Sequence, residues 1–595
     1  MSFRKCLLPL SACLALLLPA AMANAQTAPK LFPADGAGNV NPDTHLTITF
    51  SVPPTIGSSG QVRIYDARDG KLVDTLDMSI PAGPGRGGAP AVRGATVPGF
   101  TYTYAPSTAT NANTAPGTAS SSLPATPNSS QLTIIGGFSD AFHFYPIIVH
   151  DNTATIYPHN NILTYGKTYY VQIDKGVLNA GEFAGVAGAS SWTFSTKKAG
   201  PAADAARLVV AADGSGDFNT VQGAVDTVPD KSAKRTTIFI RNGFYEELVY
   251  FRNKTNITFL GEDRKKVIVT YGNYEGFNAQ PAGYTSNEKP GTFPYRRAAF
   301  FPDNSQGIQI VNLTIRNPST GGQAEALLFM GGKNIVSNVD LYGNTDTIQF
   351  NDSVYVTDSF IEGAGDFLWG RGPVFFNNCI LSEKGQNNPM GWVRSTSASH
   401  GFVYSNCRFQ APNATGAGPV MSRNTAAYPN SEMVLLNCST QGINPVGWTL
   451  AGDTTNQHYW EFNTTNASDG KPADVSRRVA GSRQLTMEKD AETIKNYSDP
   501  SWVLGGWKPV MAPLILSDPA AVTAAAGQTA TFTAAATAIP APTYQWLKNG
   551  TPISGATEMT LKLSGVKGAD AGSYTLKATN GEGSIVSAAA VLTVQ

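Results

Sequence analysis

The sequence predicts an all-β protein whose centre is a parallel β-helix flanked by two β-sandwich modules. Three observations carry that prediction. The first is composition: 14% of residues are charged, 42% are hydrophobic, and glycine occurs 59 times in 595 residues. That balance favours turn-rich β architecture over helix bundles. The second is a recurring segment. "VNLTI", "SNVDL", "TDSFI", "NNCIL", "SNCRF" and "LNCST" each place a polar residue before a short apolar alternation, at Asn312, Asn338, Asp358, Asn378, Asn406 and Asn437. The steps between them are 26, 20, 20, 28 and 31 residues. Periods of this size with short strands fit coils that stack one on the next. A sandwich with similar strand spacing is the competing architecture, but Asn-Gly hairpin pairs are scarce here. The third is that both flanks carry strand-like runs without this period.

Taken in order, the chain opens with a basic "MSFRK", an apolar "CLLPLSACLALLLPAAM" and a small-residue "ANA". This reads as an export signal over residues 1–25 and implies a secreted protein, with the periplasm or cell surface as other destinations. "LSAC" at 10–13 also fits a lipoprotein signal. No later segment is long and apolar enough to span a bilayer. Residues 26–200 hold the strand-like runs "HLTITFSV", "QVRIYDA", "TYYVQIDKGVL" and "SSWTFST". They resemble a bacterial Ig-like module, with a Pro, Ala, Thr and Ser-rich loop near 80–130. "TKKAGPAADAA" (196–206) reads as a hinge into the β-helix of residues 205–510. "KPVMAPLILSDP" (508–519) is a second boundary. Residues 513–595 read as an Ig-like sandwich, with Trp546 in its core and Asp570 and Tyr574 in a tyrosine-corner segment.

The formal net charge is zero, so there is no electrostatic footprint for nucleic acid and none is expected as a partner. Beyond the export signal only Cys379, Cys407 and Cys438 remain. Three is not a disulfide framework. Each follows an asparagine, which points to the coil repeat rather than to redox chemistry.

One stretch of the repeat poses a chemical question. In "IEGAGDFLWGRG" the acid Asp366 sits beside Phe367, Leu368 and Trp369. A carboxylate among large apolar side chains is costly without a partner or a task. Twenty residues earlier, "GNTDTIQF" carries Asp346, and the coil step across this region is also twenty. The two acids therefore fall at equivalent positions on consecutive coils, where stacked strands lie about 4.8 Å apart. Like charges that close do not both ionise comfortably, so one carboxyl is held protonated beside an ionised partner. Such a pair suits combined nucleophilic and acid–base chemistry. Phe367 and Trp369 are candidate sugar platforms. No G-x-S-x-G elbow is present, and His400 in "RSTSASHGF" reads as a solvent-facing loop histidine. No cluster has metal-ligand spacing, and "DGSGDF" (213–218) reads as a turn rather than a calcium loop, so neither metal nor cofactor is expected.

With these residues in view, residues 207–500 resemble the pectin methylesterase family, whose carbohydrate esterases are built on a right-handed parallel β-helix. "VVAADGSGDFNTVQGAVDTVP" is similar to the family's opening segment and "IRNGFYEELV" to its G-x-Y-x-E stretch. "QAEAL" (323–327) matches Q-A-V-A-L, "GNTDTI" (343–348) stands where G-Y-Q-D-T-L is expected, and "GAGDFLWG" (363–370) matches G-T-V-D-F-I-F-G. "INPVGW", "YWEFN" and "RRV" follow in family order. The resemblance implies Asp366 as nucleophile on a methyl-ester carbonyl, and Asp346 as the acid for departing methanol and then the base for water. It implies Gln323 as an oxyanion donor. Arg423 would hold Asp366 ionised and meet the sugar carboxylate, and Trp369 would stack on a sugar ring. Pectin is the implied partner and a monomer the expected state.

Three departures from the pattern stand out. Thr345 replaces the glutamine before the acid, shortening one oxyanion donor. "SRNT" (422–425) replaces G-R-P-W and removes a tryptophan beside the arginine. "GWVRST" (391–396) diverges from a T-A-Q-type stretch. They leave two alternatives open: a related β-helix ester or thioester hydrolase with a different acyl group, and a non-catalytic carbohydrate-binding or adhesive protein.

Overall fold

The structure is a computed structural model that describes residues 28–82, 131–136, 142–202, 204–278 and 297–595. The export signal and most of the Pro, Ala, Thr and Ser-rich loop lie outside the described residues.

The middle of the chain is a parallel β-helix. Three sheets run along it, of eleven, nine and six strands, and each strand pairs in parallel with its equivalent one coil later. Ile310, Val336, Val356, Phe376, Tyr404 and Leu435 stand in register across successive coils, repeating the steps of 26, 20, 20, 28 and 31 residues. Inside the coils Ile310, Val336, Val356, Phe376, Tyr404 and Leu435 are fully buried in one apolar column.

The repeat works because of its corner. Asn312, Asn338, Asp358, Asn378, Asn406 and Asn437 all have φ between 52° and 60°, where the chain leaves the eleven-stranded sheet for the nine-stranded one. That left-handed conformation disfavours residues with a Cβ, and Asn and Asp tolerate it best because their short polar side chains bond locally. Here they bond to the adjacent coil: Asn338 donates to Asn312 at 2.7 Å and Asn378 to Asp358 at 2.6 Å. The residue after the corner turns inward, so Cys379, Cys407 and Cys438 are buried free thiols, and the Cys379 N–H points to Cys407 Sγ at 3.4 Å.

Helices close the coil at two places. Val221–Thr227 begins at Thr220, whose hydroxyl accepts from Gly223 N. Its first two N–H groups are taken by Glu247, at 2.8 and 2.9 Å. Met487–Tyr497 and Pro500–Val503 lie on the outer face of the eleven-stranded sheet, where Tyr497, Val503 and Leu504 pack with Tyr355, Phe375, Val403 and Val434.

The N-terminal region is built from a four-stranded and a five-stranded sheet, with burial alternating along Leu46–Thr49, Gln61–Asp66 and Thr168–Ile173. Its core is continuous with the β-helix. Phe142, Phe144, Tyr145 and Ile147 pack with Tyr250, Tyr271, Phe277, Phe301 and Leu328 on the outer face of the six-stranded sheet. Tyr145 stacks on Phe277 at 4.5 Å, and Asp43 accepts from Thr220 N and Oγ1 of the capping helix. The connection into the β-helix therefore runs beside a shared apolar interface. The C-terminal sandwich buries Trp546 and Tyr574, and the Tyr574 hydroxyl donates to Asp570 O at 2.7 Å, closing the tyrosine corner.

The corner asparagines give a stability test. Asn378 is exposed, so its replacement touches little but the backbone and the bond to Asp358. Asn378→Ala should lower stability by about 1 kcal/mol and Asn378→Gly by less, since glycine accepts the left-handed φ at no steric cost. Thermal unfolding followed by circular dichroism checks the order.

Candidate active site

The two acids stand on adjacent coils as the period predicts. Thr345 pairs with Gly365 in a parallel bridge, and Asp346 N donates to Gly365 O at 3.0 Å. Asp346 and Asp366 both have left-handed backbones, with φ of 63° and 43°. Each precedes a strand of the six-stranded sheet, Ile348–Phe350 and Leu368–Gly370, whose residues pair in register.

Their surroundings differ. Asp366 is clamped by Arg423, whose Nε donates to both carboxylate oxygens at 2.9 and 3.1 Å and whose Nη2 donates to Oδ2 at 2.6 Å. Such a fork fixes the carboxylate plane. Asp346 is 3% exposed and meets no such fork. Burial pushes its carboxyl well above the usual range, and the neighbouring Glu325 and Asp366 push the same way. Arg297 and Arg394 oppose the rise. The pair is thus an arginine-clamped, oriented carboxylate beside a buried acid whose protonated form burial favours.

Gln323 is half-buried, and its side-chain oxygen accepts from Arg297. Its chain position is held from both sides: Glu275 N donates to Gln323 O, and Ala324 N donates to Thr345 O at 3.3 Å. Thr345 itself is half-buried next to Asp346.

The aromatic platforms need correction. Phe367 is fully buried among the apolar side chains inside the coil and offers no face to a sugar. The left-handed turn at Asp366 sends Phe367 and Leu368 inward. Gly363 makes room for this: a Cβ there would meet Phe367 Cβ at 2.2 Å. Trp369 lies on the outer face of the sheet but is only 3% exposed, with the Arg394 guanidinium 4.7 Å and the Arg297 guanidinium 5.5 Å from its ring centre. The more open aromatic is Trp392, one coil on and in register with Trp369. Arg394 and Arg423 lie over its ring at 3.5 and 3.7 Å. Arg297, Trp369, Arg394, Trp392 and Arg423 thus form an alternating stack of cations and indoles. Beside Arg423 stands Trp392, while Asn424 ties its loop by donating to Tyr428 O at 2.9 Å. Four residues of this site escaped sequence reasoning, among them Arg297, which no motif marks. Glu325 had a visible signal, a charge inside the apolar motif "QAEAL"; Arg394 and Trp392 sat in the divergent "GWVRST".

His400 is also placed differently from expectation. Its Nδ1 meets Glu432 at 3.0 Å and its ring lies 4.1 Å from that of Trp502, away from the acid pair. Among the described residues no cluster of three or more His, Cys, Asp or Glu side chains is arranged to hold a metal.

A sequence model of pectinesterases matches residues 207–505, half of the chain and the whole of the segment that carries both acids. The chain belongs to the pectinesterase family. Among curated relatives, a probable pectinesterase/pectinesterase inhibitor of Arabidopsis thaliana is 28% identical over 298 residues, 48% of this chain and 53% of that one. The pectinesterase of Daucus carota is 28% identical over 325 residues, 50% of this chain and 93% of that one. The chain spans about half the length of the first of the curated relatives it matches. A solved pectin methylesterase from carrot is 24% identical and covers 50% of this chain and 93% of its own, with a TM-score of 0.40. An immunoglobulin-domain model matches residues 512–580.

Two outcomes follow from this geometry. Phe367→Ala should cost about 3 kcal/mol or more of stability, as emptying a core site does, measured by denaturant unfolding. Asp346 favours folding most while protonated, so its contribution is present at low pH and lost as pH rises above the ordinary carboxylate range. Asp346→Asn should therefore raise the melting temperature at pH 7–8 and leave it little changed near pH 4. Thermal scans across that range check the trend.

Proposed function

We propose that this pectinesterase-family protein hydrolyses the methyl esters of polygalacturonate, releasing methanol and leaving pectate. The observation that carries the reading is the unequal acid pair: Asp366 gripped by Arg423, one coil from a buried Asp346. In this reading the Asp366 carboxylate attacks the ester carbonyl, and the carbonyl electrons become a tetrahedral oxyanion. The Gln323 amide donates to that oxyanion. The intermediate collapses, and the departing methoxide leaves as methanol with the proton of Asp346. Asp346, now ionised, takes a proton from water, which attacks the acyl–Asp366 anhydride and frees both the galacturonate and Asp366. Arg423 keeps the nucleophile ionised before attack and stabilises it as leaving group afterwards. Trp392, open beside Arg423, serves as the sugar-stacking face.

The same reading assigns residues 205–510 as the catalytic domain, with Ig-like modules at 26–200 and 513–595, and places the protein outside the cytoplasm as a monomer. Among the described residues no helix is long and apolar enough to cross a membrane.

The test is methanol release from highly methylated pectin. Wild type should be active. Asp366→Ala, folded by circular dichroism, should lose activity by about 10⁴-fold or more, as removal of a nucleophile does. Arg423→Gln should lose about 10²-fold, mostly in kcat. A wild type silent on pectin but active on another acyl ester moves the substrate assignment and leaves the acid pair in place. Silence on all esters overturns the catalytic reading.

A further inference from the structure

The acid pair is not the only buried charge at this site. Glu325 stands where the Q-A-V-A-L pattern has valine, and it is 0% exposed. Its two oxygens accept from Arg297 Nε at 2.8 and 3.0 Å. Arg297 is itself 2% exposed. A fully buried ion pair inserted into an apolar motif is weak evidence for stability, because desolvation offsets most of the attraction. Its retention calls for another account, and the other end of the arginine supplies one. Arg297 Nη1 donates to the side-chain oxygen of Gln323, and Nη2 lies 3.8 Å from Asp346 Oδ2. Glu275 adds a carboxylate 3.6 Å from Nη1.

The chemistry of the guanidinium decides what this does. Arginine offers donors only, so the amide beside it must turn its oxygen inward. The Gln323 NH₂ group is then directed away from Arg297. Resting on the ester-hydrolysis reading above, we propose that Arg297, braced by Glu325, is a positioning residue that sets the amide orientation of Gln323 for the oxyanion and holds a positive charge over Asp346. It thereby offsets the loss of the second oxyanion donor that Thr345 entails. Glu325 is needed because a lone buried arginine would swing towards Asp346 and neutralise the acid by direct pairing.

The groups that face Asp346 are Glu325 from the preceding coil and Arg297 from the one before that, Asp366 and Arg394 from the following ones, and Arg423 beyond them. Removing Arg297 together with Glu325 takes away the largest charge that lowers the Asp346 pKa and a smaller one that raises it. The net effect is a further rise. Since Asp346 must be protonated to expel methanol, the alkaline limb of kcat/KM should move to higher pH.

The experiment compares wild type, Arg297→Met/Glu325→Val and Arg297→Lys in the full chain, by methanol release from highly methylated pectin between pH 4 and 9. The double variant replaces the ion pair by apolar groups and leaves no uncompensated buried charge. It should keep KM within about twofold, lose about tenfold to a hundredfold in kcat as a misdirected oxyanion donor does, and show the shifted alkaline limb. Arg297→Lys keeps the charge but not the planar fork, so its kcat should fall between the two with the limb unmoved. A folded double variant with wild-type kcat and pH profile overturns the inference while the ester-hydrolysis reading stands. If the double variant does not fold, Arg297→Lys with wild-type kcat overturns it. A wild type without methanol release overturns the underlying reading, and this inference with it.

Discussion

A parallel coil closes only if the chain turns by the same amount at the same place on every lap, and here that constraint falls on one residue per coil held at φ near +55°. The corner asparagines meet it with side chains that bond to the coil beside them. Because the corners stack, the strands after them stack, and equivalent positions a coil apart become neighbours in space. Asp346 and Asp366 become neighbours for this reason alone, twenty residues apart in a region whose lap is twenty residues. Both also occupy left-handed backbone, a conformation that costs energy and that the coil on either side over-determines.

What separates the two acids is not their own chemistry but what reaches them from other laps. Arg423 comes from a strand two laps beyond Asp366 and grips it. Asp346 faces Glu325 from the lap before and Arg297 from the lap before that, at longer range and with opposing signs. One carboxylate is paired by contact; the other is left in low dielectric, which favours its protonated form. The indoles of Trp369 and Trp392 lie between the arginines and keep three like charges from sharing one solvent pocket.

Much of this was legible in the sequence, and what was not has a physical reason. The corner residues carried the coil spacing in full, because a left-handed φ favours Asn, Asp and Gly, and Asn and Asp here print the period on the chain. The acid pair followed from the same spacing. Arg297 and Trp392 did not, since they meet the site across coils at separations no local pattern records. Phe367 was misjudged because alternation counted through Asp366 gives the wrong face: the left-handed turn there resets which side chain points outward. Trp546 and Tyr574 were readable, since a tyrosine corner is a contact four residues long. The continuous core joining the N-terminal sheets to the β-helix was not, because runs such as "AFHFYPII" look the same whether they bury against their own sheet or a neighbour's.

That shared core has a bearing on how such a chain is inherited. The C-terminal sandwich buries its own Trp546 cluster and also packs Met511 and Ile539 against Val311, Ile335 and Tyr355 of the β-helix. The N-terminal sheets share a larger core with the β-helix. Tyr145, Phe142 and Ile147 are matched to Tyr250, Phe277 and Phe301 across the junction, so a recombination event between them would leave two incompatible aromatic faces exposed to water. An exchange of the N-terminal sheets alone would therefore have to bring side chains that fit the Tyr250, Phe277 and Phe301 face already present.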